Sequence, residues 1–175
     1  GWLGCGVRMP EAVHRGNRTE PGFRYPLVYG QVVVAKTGAA FAAKSAVIFW
    51  LAPREQPERI IGSIGYSQIA RGPFCSCVLG YQIDREHEGR GLMCEALRAT
   101  NRYMFDEQKL HRIAANYRPE NVRSGRLLAK LGFRIEGFAK QYLFIGGKWR
   151  GDSLTSSAND CVEAEWLNAD TMFRC

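Results

Sequence analysis

Apolar and polar residues change rhythm along this chain, and the changes predict its elements. Residues 45–52 (SAVIFWLA) and 59–69 (RIIGSIGYSQI) are β-branched and aromatic runs, separated by a polar stretch with two prolines. That pattern predicts a hairpin. A turn at 71–73 leads to a third strand over 74–83 (FCSCVLGYQI). Residues 84–90 are then highly charged. From Gly89 onward Leu92, Met93, Ala96, Leu97, Thr100, Tyr103 and Met104 fall on one helical stripe. Residues 111–117 (HRIAANY) read as a short strand, and 121–131 as a helix stopped by Gly132. Residues 134–141 lead into 142–145, Gly146-Gly147 and 148–154, a closing hairpin. Upstream, 29–44 reads as a helix, weakened at Gly38 by about 1 kcal/mol.

The predicted order is helix, three antiparallel strands, helix, strand, helix, two strands. This is an α+β layout in which helices cover a mostly antiparallel sheet. Residues 1–28 read as an irregular leader, 29–156 as one domain and 157–175 as a tail. The length of 175 residues suits a single core. An apolar fraction of 46% and a charged fraction of 23% are ordinary for a globular protein. No apolar run reaches the roughly 18 residues of a membrane span.

The six cysteines show no regular spacing and read as packing thiols of a reducing cytoplasm. Cys75 and Cys77 form a C-x-C within the third strand, which puts both on one face. No metal site is expected there. The net charge of +7 suits a polyanionic partner, either a phosphorylated cofactor or nucleic acid. The basic residues form no tract, and the tryptophans are not interleaved with Lys or Arg as a stacking platform would be. Direct nucleic-acid binding is therefore not expected.

The chemistry concentrates in residues 80–97 (GYQIDREHEGRGLMCEAL), where a strand runs into a glycine-bearing turn that opens a helix. The first amides of a helix point outward with partial positive charge. Gly89 and Gly91 leave room for close approach, and such a turn can cradle a pyrophosphate. Arg90 adds a charge between them. A tight strand-to-helix turn has the same appearance. The third glycine of a dinucleotide fingerprint and the Gly-Lys-Ser/Thr of a P-loop are both absent. A second segment, residues 116–137 (NYRPENVRSGRLLAKLGFRIEG), places Asn121 where a helix N-cap belongs and Ser124 in the first turn. Both roles are also those of ordinary capping and surface residues.

Together these segments resemble the GNAT acetyltransferase superfamily, and within it the ribosomal-protein N-terminal alanine acetyltransferases. The phrases that carry the resemblance are IIGSIGYSQIARGPF, LGYQIDREHEGRGLM, EALRATNRYMF, HRIAANYRPENVRSGRLLAKLGF and EGFAKQYLFIGGKWR. They cover about half the chain in order. The resemblance implies a sheet whose central strands, 79–83 and 111–117, splay apart, with acetyl-CoA as acetyl-donor co-substrate in the gap. Tyr81 and Ile83 would pair with the pantetheine arm through their backbone. Gly89, Arg90, Gly91, Leu92 and Met93 would hold the pyrophosphate, and Asn121 would hydrogen-bond pantetheine. Ser124 would protonate the leaving thiolate. A backbone N–H of residues 79–81 would meet the oxyanion.

The same resemblance marks departures. Some relatives carry a basic Glu where this chain has Val78, others where it has Asn116. Glu95 and Glu136 remain as carboxylates, and a water-relayed base is expected. Relatives have an Asp directly after Trp-Arg, whereas here Gly151 precedes Asp152. The family's first strand, with its Arg-Leu-x-Leu-Arg pattern, and the helix after it have no counterpart in this sequence. The sheet edge beside 45–52 is therefore expected to be open, and a homodimer follows from it. The expected activity is acetyl transfer to a primary amine, of a protein N-terminus or a small molecule, in the cytoplasm. Nucleic acid enters only through a ribosomal-protein acceptor, and no membrane partner is expected. Non-catalytic coenzyme A or partner binding is the alternative.

Overall fold

The computed structural model describes residues 27–29, 32–37 and 46–159. Its elements are β1 (Leu27–Tyr29), β2 (Val32–Thr37), β3 (Val47–Pro53), β4 (Gly62–Ala70), β5 (Ser76–Ile83), α1 (Leu92–Asp106), β6 (Arg112–Tyr117), α2 (Val122–Lys130), β7 (Arg134–Ile145) and β8 (Lys148–Ala158). Eight strands form one sheet in the order β1-β2-β3-β4-β5-β6-β8-β7. Every neighbouring pair is antiparallel except β5 and β6. A parallel pair needs a long crossover, and α1 supplies it.

Alternation along the strands builds the core. In β3, Val47, Phe49 and Leu51 are buried while Ile48 and Trp50 are only partly so. The same face carries Ile64 and Tyr66 of β4, Cys77 and Leu79 of β5, and Ile113 and Ala115 of β6. Leu92, Met93, Ala96, Leu97 and Met104 of α1 close onto it, as does Leu128 of α2. Both helices therefore cover one face of the sheet. Tyr66 is fully buried at the centre. Its hydroxyl engages Thr100 Oγ1 at 2.8 Å and Asn101 Oδ1 at 2.6 Å.

Two expectations change. The helix expected over 29–44 is not found at its start: Leu27–Tyr29 and Val32–Thr37 are strands. Three consecutive valines, stiff at χ1, suit extended backbone, and β2 completes a six-pair ladder with β3. Residues 38–44 lie outside the described residues. The second change follows from the first: the edge of β3 is paired, not open.

Cys75 also departs from the expected strand. It sits before β5 with φ 35°, and its thiol donates to the Lys109 carbonyl at 3.2 Å. Burial pushes the Cys77 thiol up to about 12. Among the described residues no three metal-ligating side chains gather, and no helix is long and apolar enough to cross a membrane. The leader falls outside the described residues up to 26, and β8 runs to Ala158, past the expected domain boundary.

Candidate active site

The site begins where two strands part. β5 and β6 pair at Ser76↔Arg112, Cys77↔Ile113 and Val78↔Ala114, and the ladder stops there. Both strands continue, β5 to Ile83 and β6 to Tyr117. Each is held by its outer neighbour, β5 by β4 as far as Ile83↔Gly62 and β6 by β8 as far as Tyr117↔Ser153. The result is a wedge in the sheet, with the backbone of residues 79–83 unpaired by β6.

The helix-covered side of the wedge is closed by side chains. The Tyr81 hydroxyl and Ser124 Oγ lie 2.6 Å apart, joining β5 to α2 across the gap. Burial raises the Tyr81 phenol, against a smaller downward pull from the Ser124 hydrogen bond. Tyr81 therefore holds its proton at neutral pH. Asn121 caps α2, its Oδ1 accepting from the Ser124 N–H at 3.2 Å. Behind Ser124, a Cβ on Gly125 would sit 2.9 Å from the Tyr117 ring. The glycine thus lets the first turn of α2 lie against β6.

The turn between β5 and α1 holds the sequence-predicted glycines. Gly89 has φ 74° and Gly91 φ 81°, both in the left-handed region that favours glycine. A Cβ at either would meet nothing within 4 Å, so open space faces the turn. Gly91 is the N-cap of α1 and no side chain caps the helix. The leading amides of α1 are thus available to an anion. Leu92 and Met93 bury their side chains in the core, which leaves only their backbone to face the turn. Arg90 is exposed. An ion pair between Glu88 and Arg123 ties this turn to α2.

The sequence-predicted residues therefore gather around one wedge: Tyr81 and Ile83 on one arm, Asn121 and Ser124 on the other, the glycine turn at the α1 end. The candidate bases behave differently. Asn116 Nδ2 donates to the Tyr142 hydroxyl at 3.1 Å. Glu136 accepts from Arg112 and from Ser156 Oγ at 2.7 Å, and Arg112 above all holds its carboxyl below the usual range. An ionised, doubly bonded carboxylate is a poor proton acceptor. Glu95 lies in the first turn of α1. Sequence reasoning missed the side-chain bond of Tyr81 and the seat of Tyr117 on Gly125. A glycine inside VRSGRLL was the available signal, since helix-interior glycine costs about 1 kcal/mol.

An acetyltransferase (GNAT) domain profile matches residues 23–134. The chain belongs to the GNAT acetyltransferase family. Among GNAT relatives, it is 52% identical over 112 residues to the ribosomal protein uS5-alanine N-acetyltransferase of Escherichia coli, a match covering 64% of this chain and 57% of that one. It thus spans little more than half the length of that relative. The crystal structure of a ribosomal-protein-S5-alanine acetyltransferase from Vibrio fischeri superposes with a TM-score of 0.68 at 41% identity, covering 70% of this chain and 67% of that one. Mycobacterium smegmatis RimJ, solved in complex with CoA-disulfide, gives 0.65 at 30% identity, covering 74% and 58%. The GNAT layout expected from sequence, a mostly antiparallel sheet with a splayed central pair, is the one observed.

Proposed function

We propose that this chain is an acetyl-CoA-dependent N-acetyltransferase whose acceptor is a primary amine at a protein N-terminus. The observation that carries the reading is the wedge between β5 and β6, bridged by Tyr81 and Ser124 beside an open glycine turn. Support for the acceptor class comes from the relatives named for ribosomal-protein alanine acetylation. Such an acceptor would be met in the cytoplasm.

The residues present fit the co-substrate. The uncapped amides of α1 and Arg90 suit a pyrophosphate. Unpaired backbone of residues 79–83 suits the amide groups of pantetheine. The side-chain amide of Asn121 can donate there while its Oδ1 caps α2. When bound, acetyl-CoA supplies a thioester whose carbonyl carbon takes the amine's lone pair and whose C–S bond then breaks. The hydroxyl pair of Tyr81 and Ser124 holds a proton that can pass to the departing thiolate. Backbone N–H groups of residues 79–81 can receive developing negative charge on oxygen. The ammonium proton leaves to water, since Val78 and Asn116, where the family resemblance places a Glu in some relatives, cannot accept it. Fixing both reactants in one cleft supplies much of the remaining rate.

Val78 and Asn116 also favour a second reading, coenzyme A binding without turnover. A homodimer belongs to the proposal on a new ground: β7 ends the sheet and exposes Ile135, Phe138, Leu143 and Phe144.

The test is a melting-temperature titration with acetyl-CoA, followed by thiol release with N-terminal peptides and small amines. Ligand at 100 times its Kd stabilises by about 2.7 kcal/mol. A rise with peptide-dependent thiol release supports the enzyme. A rise without release from any amine supports the second reading, and no rise at millimolar ligand retires both.

A further inference from the structure

On the acetyl-transfer reading above, we propose that Asp152 is the seat of the acceptor's ammonium group. It is a buried carboxylate on the sheet face opposite the helices, and its ligand class is a protonated primary amine.

The strand register places it. Val78 lies beside Ala114, and Asn116 lies opposite Leu154. Strand alternation puts Val78, Asn116 and Leu154 on the face away from α1 and α2. Asp152, two residues before Leu154 in β8, shares that face. Tyr81 and Ser124 lie on the other. The two faces thus divide the reaction, with a proton donor for the leaving group on one and an approach for the amine on the other.

The local structure is built around this carboxylate. Asp152 pairs with Ala139 of β7, immediately before an irregularity that ends at Leu143↔Arg150. From that irregularity Tyr142 carries its hydroxyl to Asn116. The tyrosine thereby links the strand beside Asp152 to the mouth of the wedge. Asp152 is only 3% exposed, yet its Oδ1 has no hydrogen-bond partner among the described residues. A buried unpaired carboxylate is costly, and an ammonium with three N–H donors is its complement.

The nearby charges are Arg118 and Glu120, on the loop between β6 and α2, and neither hydrogen-bonds Oδ1. On the same face Glu136 is already committed to Arg112 and Ser156. Asp152 is therefore a carboxylate of this face whose Oδ1 is uncommitted among the described residues. The sequence marked Asp152 only as displaced one place from Trp149-Arg150 by Gly151, and its burial and open Oδ1 come from the fold.

The test compares the full chain with Asp152→Asn and Asp152→Ala in the presence of coenzyme A. The probes are a short peptide with a free N-terminal alanine and its des-amino counterpart, both measured by calorimetry. Wild type should prefer the amine peptide by about tenfold, the scale of one charge-assisted hydrogen bond. Both variants should lose the preference while keeping the acetyl-CoA melting shift. Variants that keep both the preference and the shift overturn the role of Asp152 and leave the acetyl-transfer reading intact. Absence of the shift in the wild type overturns that reading, and this inference with it.

Discussion

Tyr81 and Ser124 are joined by a 2.6 Å hydrogen bond that spans the parallel junction of β5 and β6, from β5 to the first turn of α2. Because burial raises the Tyr81 phenol, the pair keeps a transferable proton through neutral pH. Ser124→Ala and Tyr81→Phe should each lower kcat by about 10²-fold, the low end for a positioned general acid. The acetyl-CoA melting shift should survive in both, because the glycine turn and Asn121 are untouched. Steady-state thiol release beside thermal titration checks this. An unchanged kcat in both variants would remove the pair from the chemistry.

The glycine turn makes a different prediction. Gly91 has φ 81° at the N-cap of α1. Alanine there meets no neighbour but must adopt left-handed backbone, at a cost of about 1–2 kcal/mol. Relaxing that strain moves the leading amides of α1. Gly91→Ala should therefore weaken acetyl-CoA binding about tenfold or more by calorimetry, with a smaller loss in kcat at saturation. Equal affinity would mean that the turn does not hold the phosphates.

How far these features were legible in the sequence follows from their range. The α1 stripe, the Gly146-Gly147 hairpin and the turn at Gly89 and Gly91 are local patterns, and the structure follows them closely. Val32 to Val34 sat beside alanines that read as a helix, and only the ladder with β3 settles them as a strand. Tyr81 and Ser124 are 43 residues apart. Their side-chain contact depends on where β5 and β6 part, which no local pattern encodes. Asp152 is likewise defined by burial rather than by neighbours in sequence.

Two carboxylates should move stability in opposite directions with pH. The Glu136 carboxyl is held low by Arg112 and then Ser156. Its contribution is present above the unfolded pKa and is lost as pH falls through the folded one. Asp152 is raised, mainly by burial, so its charge disfavours the fold. That penalty is absent below the unfolded pKa and is fully felt above the folded one. Asp152→Asn should thus melt higher than wild type at pH 7, with the gap closing toward pH 4. Arg112→Met should melt lower at pH 7 and lose less on acidification. Melting curves from pH 3 to 8 read both signs.

The core offers a stability test independent of function. Tyr66 is fully buried, and its hydroxyl serves Thr100 and Asn101 of α1. Removing it leaves Asn101 Oδ1 without that partner, while Thr100 retains its bond to the Ala96 carbonyl at 3.0 Å. Tyr66→Phe should cost about 1–3 kcal/mol in denaturant unfolding. Acetyl-CoA should still bind, because the substitution leaves the backbone of residues 79–83 and the turn at Gly89 and Gly91 unchanged.

Gly125 links packing to the site most directly. Alanine there would place Cβ 2.9 Å from two ring carbons and the hydroxyl oxygen of Tyr117, closer than real contacts allow. Helix propensity alone favours alanine by about 1 kcal/mol, so a bland surface glycine would gain stability on substitution. Here the clash must be relieved by turning Tyr117 or lifting the first turn of α2. Lifting α2 would separate Ser124 from Tyr81 and shift Asn121, so Gly125→Ala should lose both stability and activity. Replacing Tyr117 as well, in Gly125→Ala/Tyr117→Leu, removes the ring that clashes. The double variant should recover more stability than the sum of the single changes predicts, since touching residues couple by about 0.5–3 kcal/mol. Additive behaviour in that cycle would mean that Gly125 and Tyr117 do not set the height of α2 over the wedge.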